Sequence, residues 1–507
     1  MNKTWAAVLA SLLLGGCAVG PDFKAPAAPA VDRYLSQPAD ATAASPTVAA
    51  GAAQRFVQGG DIPAQWWQLF HSQPLDALIG QALANNADLK AAQAALLAAR
   101  ENALAGRGAY YPSVSVGASA NRQQDPPGAL APVPSSNASL YNLLTAQVSV
   151  SYMPDVFGLN RRTVESLDAQ AQAARYEMLA TDIALSANVA VSAIQIASLR
   201  EQIRATQELA AINAHMLSIM RYQLAKGYVG RLDVAAQETQ LAQVNASLPA
   251  LRTQLAQEQH QLAALAGRFP SQAPAADFDL ASLQLPQDLP LSLPSALVAQ
   301  RPDVLQAQAN LHAASAQVGV AIANRLPNLT LSADAGSTAL AIGRVFHSGT
   351  GLWGLGAAVA APVFEGGALK HQERAAKAAY TQAAEQYRGT VLAAFQNVAD
   401  TLVALQQDAE ALKASAAADA AAKVTLDLSQ RQWKDGYAGY LAVLGAEQAA
   451  LQARISLVQA QASRYADTVA LFQALGGGWW HRADLAEGAG AKAASTTTAS
   501  TKGDDEH

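Results

Sequence analysis

Four segments of the chain alternate apolar and polar residues with a strict period of two. In the first, Val114, Val116, Ala118 and Ala120 alternate with Ser113, Ser115, Gly117 and Ser119. In the second, Leu144, Ala146, Val148, Val150 and Tyr152 alternate with Thr145, Gln147, Ser149 and Ser151. The third sets Leu329, Leu331, Ala333 and Ala335 against Asn328, Thr330, Ser332 and Asp334. The fourth sets Trp353, Leu355, Ala357, Val359, Ala361 and Val363 against mostly Gly and Ala. Period two marks a strand with one apolar and one polar face. Stretches of about 10 residues with that pattern fit a transmembrane β-barrel, lipid outside and water inside. Strands are predicted at about 110–120, 142–152, 326–336 and 350–364.

Elsewhere the apolar positions step by three and four, a heptad seam. One seam is Val391, Phe395, Val398, Leu402, Leu405, Ala409, Leu412 and Ala416. Leu241, Val244, Leu248, Leu251, Leu255, Leu262 and Leu265 form a second, with Pro249 a predicted kink. A third runs from Leu451 through Val458 and Tyr465 to Phe472. The stretch after Asn160 carries two adjacent stripes, one including Leu185, Val189 and Ile196, the other Ile183, Ala187 and Ile194. Two stripes give a helix a neighbour on each side, as in a ring of helices. Helix 160–226 would run about 100 Å, and its return partner 231–266 about half that. Segment 295–325 is expected to complete the height of the first hairpin's short helix. In the second hairpin, long over 367–435 and short over 440–475, segment 75–107 is expected to fill the gap. These helices are not apolar enough for lipid and are placed in the periplasm.

The two halves are copies. Lys226-Gly-Tyr-Val-Gly-Arg-Leu-Asp-Val234 matches Asp435-Gly-Tyr-Ala-Gly-Tyr-Leu-Ala-Val443, and at the same spacing Glu238 pairs with Glu447 and Gly267 with Gly476. Upstream, Pro154 and Gly158 pair with Pro362 and Gly366. The organisation is a first repeat over 61–267 with its hairpin at about 160–266, a connecting segment 268–294, and a second repeat over 295–482 with its hairpin at about 367–475. Four strands cannot close a barrel, since membrane barrels begin at about eight. An open edge in lipid leaves backbone groups unpaired at several kcal/mol each. The chain must therefore oligomerise, and two or three copies both satisfy this argument.

Composition adds boundaries. The chain is 51% hydrophobic but only 6% aromatic, as close-packed alanine-rich helices would be. Its net charge of -5 gives no basic footprint for nucleic acid. Lys3 and the apolar run Trp5–Leu14 read as a signal peptide over 1–16. It ends in Leu14-Gly15-Gly16-Cys17, similar to a bacterial lipobox, which implies N-acyl and S-diacylglycerol lipid on Cys17. Ala18, rather than aspartate, implies sorting to the outer membrane. Residues 17–60 form a lipidated N-terminal segment whose Pro-, Ala- and Thr-rich part reads as a tether, and 483–507 read as a disordered tail.

At this point the residues resemble a known family. Cys-Ala-Val-Gly-Pro-Asp-Phe (17–23) is similar to the outer-membrane factors of tripartite efflux systems, the TolC-like family, in its NodT/OprM-type lipoprotein branch. So are Trp66-Trp67-x-x-Phe70, Ala82-Leu83-x-Asn85-Asn86, Arg301-Pro302-Asp303 and Leu475-Gly476-Gly477-Gly478-Trp479, over about residues 17–480. The resemblance implies a mixed α/β membrane channel. In it a homotrimer closes a twelve-stranded barrel in outer-membrane lipid, continuous with a periplasmic α-helical barrel. It also implies a periplasmic adaptor and an inner-membrane pump as partners, small toxic compounds as cargo, and no catalysis.

The repeated turns at Gly227, Gly230, Gly436 and Gly439 are the expected adaptor-facing tips, with Gly227 and Gly436 supplying positive φ. Residues just after them are expected at the periplasmic gate: Arg231, Asp233, Tyr440 and Leu441. Relatives often carry aspartates in the second hairpin, where this chain has Ala442 and Gly445. The eight histidines are scattered, so no metal site is expected, and no cofactor motif stands where strand and helix would support it. Asp88/Glu101 and Asp400/Asp408 read as solvated helix faces. Alternative readings are the exit duct of a type I protein secretion system and, from another class, a lipid-anchored structural coiled coil.

Overall fold

The computed structural model describes residues 18–36, 40–124, 139–273 and 279–482. The signal peptide, Cys17 and the tail 483–507 lie outside the described residues. In chain order the first half contains β1 (Arg55–Gln58), α1 (Gln73–Asn85), α2 (Ala87–Arg107), β2 (Ser113–Gln124), β3 (Leu140–Tyr152), α3 (Leu159–Ala225) and α4 (Arg231–Leu265). The second half contains β4 (Asp288–Leu291), α5 (Pro294–Gln300), α6 (Pro302–Ala323), β5 (Asn328–Ala339), β6 (Gly351–Ala360), α7 (Ala368–Lys434) and α8 (Tyr440–Ala474). Two compact units cut across the repeats. Of the described residues, one gathers 18–26, 95–124, 139–174 and 307–387; the other gathers 27–36, 40–94, 175–273, 279–306 and 388–482.

The first unit holds an antiparallel sheet in the order β2-β3-β5-β6. Its register turns the alternation into two faces. Val116 pairs with Val148, which pairs with Ala335, which pairs with Trp353. Val114, Val150, Ala333 and Leu355 form the next apolar row. Between them runs a polar row of Ser115, Ser149 and Asp334, ending at Gly354. Among the described residues nothing covers the apolar face: Val116 is 83% exposed and Trp353 78%. Strands β2 and β6 are edges, each with one partner.

The N-terminal arm is docked onto this same unit. Arg162, almost wholly buried, donates to the carbonyls of Val19 and Gly20 and to Asp22, the last at 2.7 Å. Phe23 stacks on His312 with ring centres 4.3 Å apart, and His312 Nε2 lies 2.8 Å from Glu165. At Gly20, φ is +97° and a Cβ would sit 2.5 Å from the Gly319 Cα, so only glycine fits.

Helices α3 and α7 each run 67 residues, α4 and α8 each 35. The two stripes on α3 are buried, with Val189, Ala190 and Ile194 fully enclosed. One window of α3 is apolar enough for a membrane span, yet 67% of it is buried within the chain, as in a core helix. Helix α4 continues through Pro249.

The second unit corrects the expected stacking of short helices. Asn86, between α1 and α2, donates its side-chain amide to the Leu265 carbonyl at the end of α4, at 3.1 Å. Arg301, between α5 and α6, donates to the Ala474 carbonyl at the end of α8, at 2.8 Å. Segment 75–107 thus completes α4, and 295–325 completes α8, the reverse of the expectation. The physical reason lies at the helix ends, whose last carbonyls need donors; Asn86 and Arg301 provide them.

The tether expected up to residue 60 is ordered at its end. β1 pairs in parallel with β4, and Gln54 is buried, bonded to Thr468 and the Pro286 carbonyl. Nearby, Trp66 stacks on Phe472 with ring centres 5.4 Å apart, a packing role for that aromatic pair.

Candidate functional site: the hairpin turns

Both long helices end alike. Gly227 has φ +79° and Gly436 φ +78°. Tyr228 N–H returns to the Gln223 carbonyl and Tyr437 N–H to the Gln432 carbonyl, closing each helix with a glycine-dependent Schellman turn. Gly230 and Gly439 then stand as N-caps of α4 and α8 with ordinary negative φ.

The two caps differ chemically. The Asp233 carboxylate accepts the Gly230 N–H at 3.0 Å. Gly230 has no side chain to return the bond, so half of a capping box is present. In the second hairpin Ala442 stands at that place and offers Gly439 no carboxylate. Asp233 is half-buried and Arg231 exposed.

Leu441 is 65% exposed, and its repeat mate Leu232 79%. Tyr440, expected beside Leu441 at the mouth, is instead buried, packed with Met216, Met220, Val234 and Val443 and edge-on to Trp433. Its hydroxyl donates to Gln237 Oε1. Burial, and then the nearby Glu447 carboxylate, push the phenol well above its ordinary range. The structure therefore places Leu441, Leu232 and Arg231 outward and turns Tyr440 into an internal strut between the hairpins.

Two buried polar groups and a half-buried one escaped the sequence reading. Gln237 is fully enclosed and donates to the Asn213 carbonyl at 2.8 Å and to its side chain at 2.9 Å. Glu447 is fully enclosed, and burial pushes its carboxyl up to about 7. Asp408 is also no solvated face. Burial first, then a hydrogen bond with Asp467, raises it to about 7, while Arg464 opposes the shift. A signal for Glu447 existed in the repeat. Its mate Glu238 forms an ion pair with Arg221 at 2.7 Å, and Gln430 takes the place of that arginine in the second copy.

Comparison with known proteins agrees with this architecture. The family model described as outer membrane efflux protein matches residues 78–268 and 293–477. The chain is 32% identical to the pyoverdine export outer membrane protein OpmQ of Pseudomonas putida, over 82% of this chain and 88% of that protein. It is 30% identical to the antibiotic efflux pump outer membrane protein ArpC of Pseudomonas putida, over 93% of this chain and 95% of that one. Among solved structures, the outer-membrane channel OprN superposes with a TM-score of 0.80 at 26% identity, covering 91% of this chain and 100% of that one. The outer membrane protein VceC of Vibrio cholerae gives 0.76 at 27%, covering 82% and 100%. The chain belongs to the outer membrane efflux protein family.

Proposed function

We propose that the protein is the outer-membrane channel of a tripartite efflux system, conducting small toxic compounds passively outward from a periplasmic adaptor and an inner-membrane pump. The observation that carries this reading is the sheet. It presents aligned apolar rows on one face and a polar row on the other, and its edges β2 and β6 lack further partners among the described residues. In lipid such edges must be paired. Three copies, joined β6 to β2, give a twelve-stranded barrel with Asp334 and the serine rows facing water. The antibiotic efflux and pyoverdine export named for the relatives favour small molecules over a polypeptide cargo.

Cys17 carries the lipid in this reading. The residues directly after it support that placement, because Ala18 lies against Gly158, in the short link between β3 and α3. The acyl chains would enter the membrane beside the barrel. At the other end, Leu441 forms the constriction, Tyr440 braces it from behind, and Asp233 holds the first turn of α4 with Arg231 at its side. The glycine turns are the tips that meet the adaptor.

The test is deletion of the gene and complementation. Intracellular accumulation of antibiotics and dyes should rise on deletion and fall with the wild-type gene. Leu441→Ala should raise single-channel conductance and antibiotic influx; unchanged values would remove Leu441 from the gate.

A further inference from the structure

Glu447 is 0% exposed, and neither of its carboxylate oxygens has a hydrogen-bond partner. It lines a cleft of about 420 Å³ walled by α3, α7 and α8. Leu209, Ile212, Leu426 and Leu451 supply an apolar lining. The cations at this cleft are already engaged. Arg204 and Arg454 both meet Glu201, the latter at 2.7 Å, and Lys423 meets Asp419 at 2.7 Å. Glu208 adds an exposed carboxylate at the rim.

A buried acceptor left unsatisfied is costly; the repeat mate Glu238, by contrast, is exposed and pairs with Arg221 at 2.7 Å. With Gln430 at the arginine's place, the second hairpin keeps the acid and omits its cation. The volume is in the range of small-molecule sites, about 300–1,000 Å³. Among the described residues no group of three His, Cys, Asp or Glu could hold a metal ion. A buried carboxylate without a hydrogen-bond partner, set beside an apolar wall, suits an organic cation instead.

We propose that this cleft binds an amphiphilic organic cation, one per chain, whose N–H donates to Glu447 while its apolar body lies against Leu209, Ile212, Leu426 and Leu451. Neither a pump nor an adaptor is required, so the inference stands apart from the efflux reading. Because burial holds the Glu447 carboxyl at about 7, the ionised form that accepts the cation grows as pH rises through that value. The other charged or titratable groups around it are Glu201, Arg204 and Glu208 on α3, Lys423 and Asp419 on α7, and Arg454 and Tyr440 on α8.

The experiment is calorimetric titration of ethidium into the full-length protein in nonionic detergent, against a detergent blank, at about pH 6 and about pH 8. Wild type should show one saturable site per chain, tighter at the higher pH. Glu447→Gln, which keeps the shape, should weaken binding about 10- to 100-fold, and Leu451→Trp should fill the cleft and abolish it. No saturable site in the wild type, or an unchanged affinity in Glu447→Gln, overturns the proposal. Should either variant fail to assemble, equal wild-type affinity at the two pH values overturns it as well.

Discussion

Tyr440 donates its phenolic hydrogen to Gln237, joining the first turn of one return helix to the other hairpin. Both groups are buried, and Gln237 spends its own donors on Asn213. Tyr440→Phe leaves an enclosed acceptor empty. It should cost about 1–3 kcal/mol, read as a lower unfolding midpoint, and should raise antibiotic influx if the strut holds the gate shut.

The turn glycines separate into two kinds. At Gly436, φ is +78° and no atom lies within 4 Å of the place a methyl would take, so Gly436→Ala carries backbone strain alone, about 1–2 kcal/mol. Gly439 has φ −73° and equally open surroundings, so Gly439→Ala carries no backbone strain and should cost less than Gly436→Ala, losing only the N-cap preference for glycine over alanine. Thermal unfolding of the two variants side by side checks this.

Asp408 and Glu447 give stability a defined pH dependence. Both carboxyls stand at about 7 in the fold, above the ordinary 3.8 and 4.5. The folded protein thus holds protons that the unfolded chain has released. Their contribution is fully present below those ordinary values and is lost as pH rises through about 7. Chemical denaturation across this range should show stability falling with pH. Asp408→Asn with Glu447→Gln should flatten the curve.

The two faces of the sheet should respond oppositely to charge. Val148→Arg places a guanidinium on the apolar row, at a cost of about 2–4 kcal/mol near the bilayer midplane. Ser149→Arg, one residue on, points to the polar face and should be tolerated. The yield of assembled protein in purified outer membranes distinguishes them.

How far the sequence could be read depended on whether an element carries its own period. Residues 144–152 alternate strictly, and the strand β3, Leu140–Tyr152, contains them. α3 has two stripes, so it could be recognised as a helix with two neighbours. β1 and β4 are four residues each, too short for a period, and they pair across more than two hundred residues, so a Pro- and Ala-rich approach looked like plain tether. The stacking of short helices turned on single donors, Asn86 and Arg301, whose spacing along the chain does not say which carbonyl they reach. Tyr440 lies one residue from the exposed Leu441, and in a helix that step is enough to move a side chain from the surface to the core. Glu447 looked like any helical acid until its neighbours were known, although Gln430 opposite Arg221 in the repeat marked the asymmetry.

Closure of one barrel by three lipid-anchored copies is tested most directly by native mass spectrometry of protein extracted from membranes in mild detergent. One spectrum reports stoichiometry and N-terminal mass together. Three chains are expected, each beginning at Cys17 with added acyl mass. A monomer that persists across detergents would contradict the shared barrel, since a four-stranded sheet cannot close by itself.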